Sequence, residues 1–254
     1  MEIKQATTIE EVIQFLDEVI EIAKQEEKGI GMFASLYREV TLKIKEGIVK
    51  GNFQDGARME KLDVIFANRY LRAYFLYQTG QKPSSCWEFA FQKSEEYWLI
   101  VPQHLLLGIN AHVNLDLGIA CALVSTTENI GSLKSDYDQI NAILSELLIS
   151  VEKSMCVIWP GLTFILKISG RIDNLFIDFS MKKARDGAWK FANEFVALNE
   201  DAREPEIQER DAKITQVAQF VSNPGFFTST LFRFIRLFER GTVAEKIIEL
   251  GKIE

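Results

Sequence analysis

With 254 residues, 47% of them hydrophobic and 26% charged, the chain can bury a full core without help from disulfides or metal. Its net charge of −7 and the absence of a basic block argue against nucleic acid as a main partner. Three widely spaced cysteines, Cys86, Cys121 and Cys156, with no CxxC pair, fit reduced thiols in a cytoplasm. The first ten residues have no apolar run, so no secretory leader is expected.

The pattern is helical throughout, with no convincing strand, repeat or low-complexity tract. Residues 1–254 are expected to form a single all-α domain of bundle-like or orthogonal helices, with about 205–254 a candidate packed extension. Thr8-Ile9-Glu10-Glu11 is a capping box before Val12, Leu16, Val19 and Ile20. Lys28–Gly31 ends that helix, and a second is predicted from about Met32 to Lys50, closed by Gly51. A third follows to about Thr79. On it Glu60, Asp63, Tyr70 and Tyr74 share a face, while Arg69 and Arg72 are expected to be solvated. Cys86 to about Trp98 is aromatic-rich and reads as core or pocket wall.

The central stretch, about 99–124, is apolar almost without interruption, yet carries both histidines, His104 and His112, with Asn110, Asn114 and Asp116. Burying such groups unpaired costs on the order of 1–3 kcal/mol each, so their presence needs a reason. Read as a helix entered at Pro102, it places His104, Gly108, His112 and Asp116 along one slowly drifting stripe, with Gly108 as a notch. Asn110 and Asn114 form a second pair on the opposite side. His112 and Asp116 are close enough to share a metal ion or to form an oriented imidazole–carboxylate pair. His104 lies two turns away, roughly 12 Å along the axis. The same stretch is long enough for a membrane span, but its polar groups favour a buried helix in a protein with no transmembrane segment.

Beyond a loop at 125–134, a helix is expected from Ser135 to about Ile158, and helical pattern resumes from Leu162 to about Asn199, weakened at Ser169-Gly170. Asp178, Arg185 and Trp189 share a face there, expected at the surface. Turned inward, Arg185 would clamp a carboxylate or phosphate. Pro205 is expected to start a helix to about Phe220. Phe226–Arg240 is amphipathic: Phe227, Leu231, Phe234 and Phe238 form one stripe, with Arg233, Arg236 and Arg240 opposite. The aromatics are expected on the core, with contact to a membrane surface the alternative.

Missing motifs narrow the chemistry. There is no HExxH, Glu-x-x-His, GxSxG, P-loop or GxGxxG pattern, and two histidines cannot build a site made mainly of imidazoles. Two versions of a site remain. One divalent metal (Zn, Fe or Mn) could be held by His112 and Asp116 with Asp63 or Asp178. Alternatively an Asp116–His112 pair acts as a general base, with His104 or Tyr70 assisting. In either version Gly108, Asn110, Asn114, Asp63, Arg185 and Trp189 are candidate ligand-binding residues, and the ligand is a small, partly apolar molecule.

Phe33-Ala34-Ser35-Leu36-Tyr37, Arg58–Tyr70 and above all Gly108-Ile109-Asn110-Ala111-His112-Val113-Asn114-Leu115-Asp116-Leu117-Gly118 resemble an all-helical family of bacterial and fungal proteins known as a domain of unknown function. The resemblance spans about Gly31 to Phe195. It implies a helical fold and a site at His112 and Asp116, without implying a reaction. The His-x-x-x-Asp element faintly resembles the all-helical zinc phospholipase C and P1 nuclease group, but the chain lacks the other histidines of those enzymes, so their activity does not carry over. Three readings stand at this point: an enzyme performing hydrolytic or acid–base chemistry, a non-catalytic binding protein, and polar groups that only set helix register.

Overall fold

The computed structural model describes residues 3–162 and 181–252. Among these residues are eleven α-helices and no strand, in agreement with the all-α pattern. In chain order they are α1 (Ile9–Gln25), α2 (Ile30–Val49), α3 (Gly56–Gln78), α4 (Ser85–Ser94), α5 (Val101–Ala111), α6 (Leu117–Leu123), α7 (Lys134–Ile158), α8 (Met181–Val196), α9 (Glu200–Ser222), α10 (Phe226–Phe238) and α11 (Val243–Leu250). Asp178 and the pattern break at Ser169-Gly170 lie outside the described residues.

The boundaries follow local chemistry. The Thr8 hydroxyl accepts from the Glu11 backbone N–H and starts α1, while the Glu11 carboxylate accepts from the backbone N–H and hydroxyl of Thr7. Helix α9 begins five residues before Pro205, because the Asn199 side chain caps it by accepting from the Ala202 N–H at 3.0 Å. Helix α4 has no cap of its own; buried Asp211 on α9 accepts from the Ser85 and Cys86 N–H groups instead. Asp136, at the start of α7, likewise accepts from Gln54 and Asp55 just ahead of α3.

Helices α5 and α6 are the two halves of one rod, Val101–Leu123, joined by a single π-helical turn, His112–Asp116. The rod is the one helix among the described residues long and apolar enough to cross a membrane, but most of it is buried inside the fold. Its first half packs against α2, α4 and α9, and its second against α3 and α8. Both ends are pinned by charges that suit the helix dipole. Glu239 accepts from the Val101 N–H at 2.8 Å. At the other end Arg58 donates to the Val124 carbonyl at 3.1 Å and to Ser125 and Ser132. Gly118 allows close approach: a Cβ there would lie 2.8 Å from the Ala188 carbonyl oxygen on α8.

Helix α10 departs from expectation. Its aromatic stripe faces outward, with Phe227 88% and Phe226 79% exposed and Leu231, Phe234 and Phe238 more than half exposed. Only Ile235 is buried. The helix is anchored by polar contacts on its other side: Arg236 donates to the Tyr97 carbonyl, and Glu239 beyond its end holds Val101 and Lys246. The apolar period was therefore real, but the face it marks is not the one turned to the core.

Candidate functional site

The π turn sets the geometry of the site. A π turn closes its backbone bond five residues back, here from the Leu117 N–H to the His112 carbonyl, and such turns recur at functional positions. It aims His112 and Asp116 at each other: His112 Nδ1 lies 3.2 Å from Asp116 Oδ2. Asp116 is fully buried and accepts from two further donors, Arg69 Nε at 2.7 Å on Oδ1 and Trp87 Nε1 at 2.8 Å on Oδ2. Burial pushes this carboxyl up, but Arg69, His112 and Trp87 outweigh burial and hold it below the ordinary carboxylate range. Arg69 is thus a partner of the site rather than the solvated residue its sequence context suggested.

An ionised Asp116 that accepts on all sides fixes the His112 tautomer, since Nδ1 must carry the proton it donates. Nε2 is then the unprotonated edge, and it is buried with no hydrogen-bond partner. Burial holds the His112 imidazole below its ordinary pKa, against the pull of Asp116, so the ring is neutral near pH 7. Its orientation is fixed by an aromatic cage. Phe66 stacks flat on it at 3.5 Å between centroids, Tyr37 meets it edge-on at 4.4 Å, and Phe33, Tyr70 and Trp87 stand at 5.8–6.1 Å.

The cage opens on a cavity of about 400 Å³ between α2, α3, the central rod, α7 and the start of α8. That is ample for a drug-sized molecule. Its wall is almost entirely aliphatic and aromatic. Among the described residues the polar groups in it are Tyr37, Asp63, His112, Arg185 and, at an exposed position, Glu152. Half-buried Leu36, Val40, Leu106, Ile109 and Val113 mark the side nearer solvent. Asp63 is 1% exposed and neither of its oxygens has a partner. Burial, with a smaller push from Glu60, raises its pKa to about 7. The Tyr37 hydroxyl is also buried and unpartnered, and burial followed by the Asp63 charge pushes its pKa well up.

Of the residues singled out in the sequence, His112, Asp116, Asp63 and Tyr70 converge here, and Arg185 joins them on the cavity wall. Tyr70 is part of the cage rather than of the cavity wall, with its hydroxyl buried and unpartnered. Arg185 is only 4% exposed, which overturns its assignment to the surface. The others fall elsewhere. His104 sits against Gly29, outside the cavity wall. The Gly108 notch is filled by Phe33, whose ring atoms lie 2.3–2.5 Å from where a Cβ would be. Asn110 donates to the Ile214 carbonyl at 3.0 Å and accepts from Asn114 at 3.0 Å, so this pair fastens α9 to the central rod. Trp189 packs on Tyr137 at 4.9 Å, also outside the wall.

For a metal, His112 Nε2 and the Asp63 carboxylate are the uncommitted ligand atoms of the site among the described residues, while both Asp116 oxygens are engaged. Among the described residues no three His, Cys, Asp or Glu side chains gather in a way that could hold an ion.

A model of a family of unknown function, DUF5995, matches residues 9–224. The chain belongs to that family. The match extends on both sides of the Gly31–Phe195 resemblance and takes in every residue of the dyad, the cage and the cavity wall. Helices α10 and α11 of this DUF5995 protein lie beyond it. No curated protein and no solved structure matches the chain.

Proposed function

We propose that this protein binds a small, largely apolar molecule in the cavity beside His112 and performs acid–base chemistry on it. The observation that carries this reading is the Nε2 edge of His112: unprotonated, buried and without a partner, in a residue that lines a roomy apolar hollow. A buried unmet acceptor costs about 1–3 kcal/mol; His104 Nδ1 is likewise unmet, but of the two histidines only His112 lines the cavity. The Asp116 carboxylate orients the ring and stabilises the imidazolium formed when Nε2 takes a proton. Asp63, with a pKa of about 7, is the acid of the pair: near neutrality a substantial fraction still carries a proton to give. Among the described residues the cavity wall carries no serine, threonine or cysteine, and the reading adopted is direct proton transfer or activation of a water.

The test has two parts. A neutral fluorescent probe, N-phenyl-1-naphthylamine, should bind one per chain and be excluded by Val113→Trp, which fills the cavity. A panel of apolar esters and carbonyl compounds is then assayed with the wild-type protein and His112→Asn. Turnover lost in the variant while the probe still binds supports the assignment. Equal turnover in both proteins, or no probe binding, defeats it.

A second reading concerns α10. We propose that its exposed aromatic face lies on an anionic bilayer surface. The helix carries no acidic residue, and among the described residues the free charges flanking the face are Arg233 and Arg240, in a chain whose net charge is −7. Co-sedimentation with phosphatidylglycerol vesicles, weakened in Arg233→Glu/Arg240→Glu, is the expected result. No co-sedimentation, or none that depends on these arginines, removes it.

A further inference from the structure

Among the described residues Arg185 is the one strongly basic side chain in the cavity wall, and nothing in the chemistry proposed above uses it. Its guanidinium is buried. Nε donates to Asn141 Oδ1 at 2.6 Å, Nη2 donates to the Tyr137 carbonyl, and the plane lies over the Tyr137 ring at 4.2 Å. Tyr137 returns a hydrogen bond from its hydroxyl to the Arg185 carbonyl at 2.6 Å, so the arginine is held from two sides. All of these partners are neutral. Among the described residues no carboxylate forms an ion pair with it: Asp138 pairs with Lys134, and Asp186, the adjacent residue, is exposed.

A buried cation held only by neutral acceptors is costly, and proteins ordinarily match such a charge with a carboxylate. Here no carboxylate among the described residues supplies the match, and the cation lines an apolar cavity. Two of its three nitrogens are engaged, which leaves Nη1 as the free corner. One free corner suits a carboxylate oxygen better than the three oxygens of a phosphate, which call for a wider fork.

We infer that the cavity takes an amphipathic carboxylate, a hydrocarbon chain ending in a carboxyl group, with the acid end on Arg185 Nη1 and the chain along the aliphatic wall. This rests on the reading of the cavity as a ligand site, and it names the class of molecule. The other acidic groups on the wall do not forbid it. Asp63 is substantially protonated near neutrality, and Glu152 is at the exposed rim. The hydrocarbon is what His112 and Asp63 then meet, so the proton handled there belongs to a polar group or an activated carbon on the chain rather than to the acid head.

The experiment compares dodecanoate, dodecan-1-ol and dodecyl phosphate as competitors of N-phenyl-1-naphthylamine on the full chain at pH 6, where Asp63 is mostly protonated while a carboxylic acid is ionised. Dodecanoate is expected to compete at least 10-fold better than the alcohol and no worse than the phosphate. Arg185→Gln should bring dodecanoate down to the alcohol's level while leaving the alcohol unchanged, which also shows that the variant is folded. Arg185→Lys, which keeps the charge and loses the fork, should retain part of the preference. Equal competition by acid and alcohol in the wild type, or a preference that survives Arg185→Gln, overturns the assignment while leaving the apolar cavity standing. A phosphate that outcompetes the carboxylate overturns the choice of headgroup. Failure of probe and alcohol alike would sink the cavity reading together with this one.

Discussion

The His112 imidazole lies flat on the Phe66 ring, with centroids 3.5 Å apart and planes within 7° of each other. Phe66 and Asp116 thus do different work on the same ring: one sets its plane, the other its rotation and tautomer. The free Nε2 edge is left as the single unconstrained feature.

Removing the carboxylate should be severe. Asp116→Ala strands His112 Nδ1, Trp87 Nε1 and the Arg69 guanidinium at once, and is expected to cost about 3–5 kcal/mol in urea unfolding. Arg69→Gln, whose position is partly open to solvent, should cost less, about 1–2 kcal/mol. A larger loss from Arg69→Gln than from Asp116→Ala would contradict the described network.

Asp63 predicts an alkaline-side effect. Its folded pKa of about 7 is above the unfolded value, so the folded state binds the extra proton between about pH 4 and pH 7. Stability from this group is therefore present at low pH and lost as pH rises through 7. Asp63→Asn should stabilise the protein by about 1–3 kcal/mol at pH 8 and by nothing at pH 4. Thermal unfolding at the two pH values reads this directly.

His104 predicts the opposite slope. Burial, with Arg236 and Lys246 nearby, lowers its pKa to about 4. A histidine that resists protonation when folded contributes stability above about pH 6.5 that is lost as pH falls toward 4. In His104→Gln the drop in stability between pH 7 and pH 4.5 should shrink by about 2 kcal/mol. An unchanged drop would mean that another group, His112 foremost, carries the acid transition.

Gly118→Ala should destabilise by about 1–3 kcal/mol, because its methyl group meets the Ala188 carbonyl at 2.8 Å and the Phe191 ring at 2.7 Å. A neutral result in urea unfolding would show that α8 can move away from the central rod at no cost.

On α10, Phe227→Ser should change stability by less than about 0.5 kcal/mol, since that ring makes almost no contact with the fold. A loss above 1 kcal/mol by calorimetry would show that the face is covered in solution.

The helical class, most helix ends and the central rod could be read from the chain because they depend on near neighbours: apolar period, caps and terminal glycines. The pairing of His112 with Asp116 was legible for the same reason, lying four residues apart on one stretch. Polar character inside an apolar run singled out the stretch that holds the His112–Asp116 pair, but it could not separate groups that face a cavity from groups that fasten helices. Asn110 and Asn114 bind α9, His104 lies against the loop before α2, and Gly108 receives Phe33.

Those assignments belong to the tertiary structure because each depends on a partner far along the chain. Arg69 meets Asp116 across 47 residues, and no local spacing announces it. The π turn is a backbone choice that the side-chain period does not encode. Arg185 and the α10 aromatics show the limit from both sides. Period tells which residues share a face, whereas only the packing of the other helices decides whether that face meets the core, a cavity or solvent.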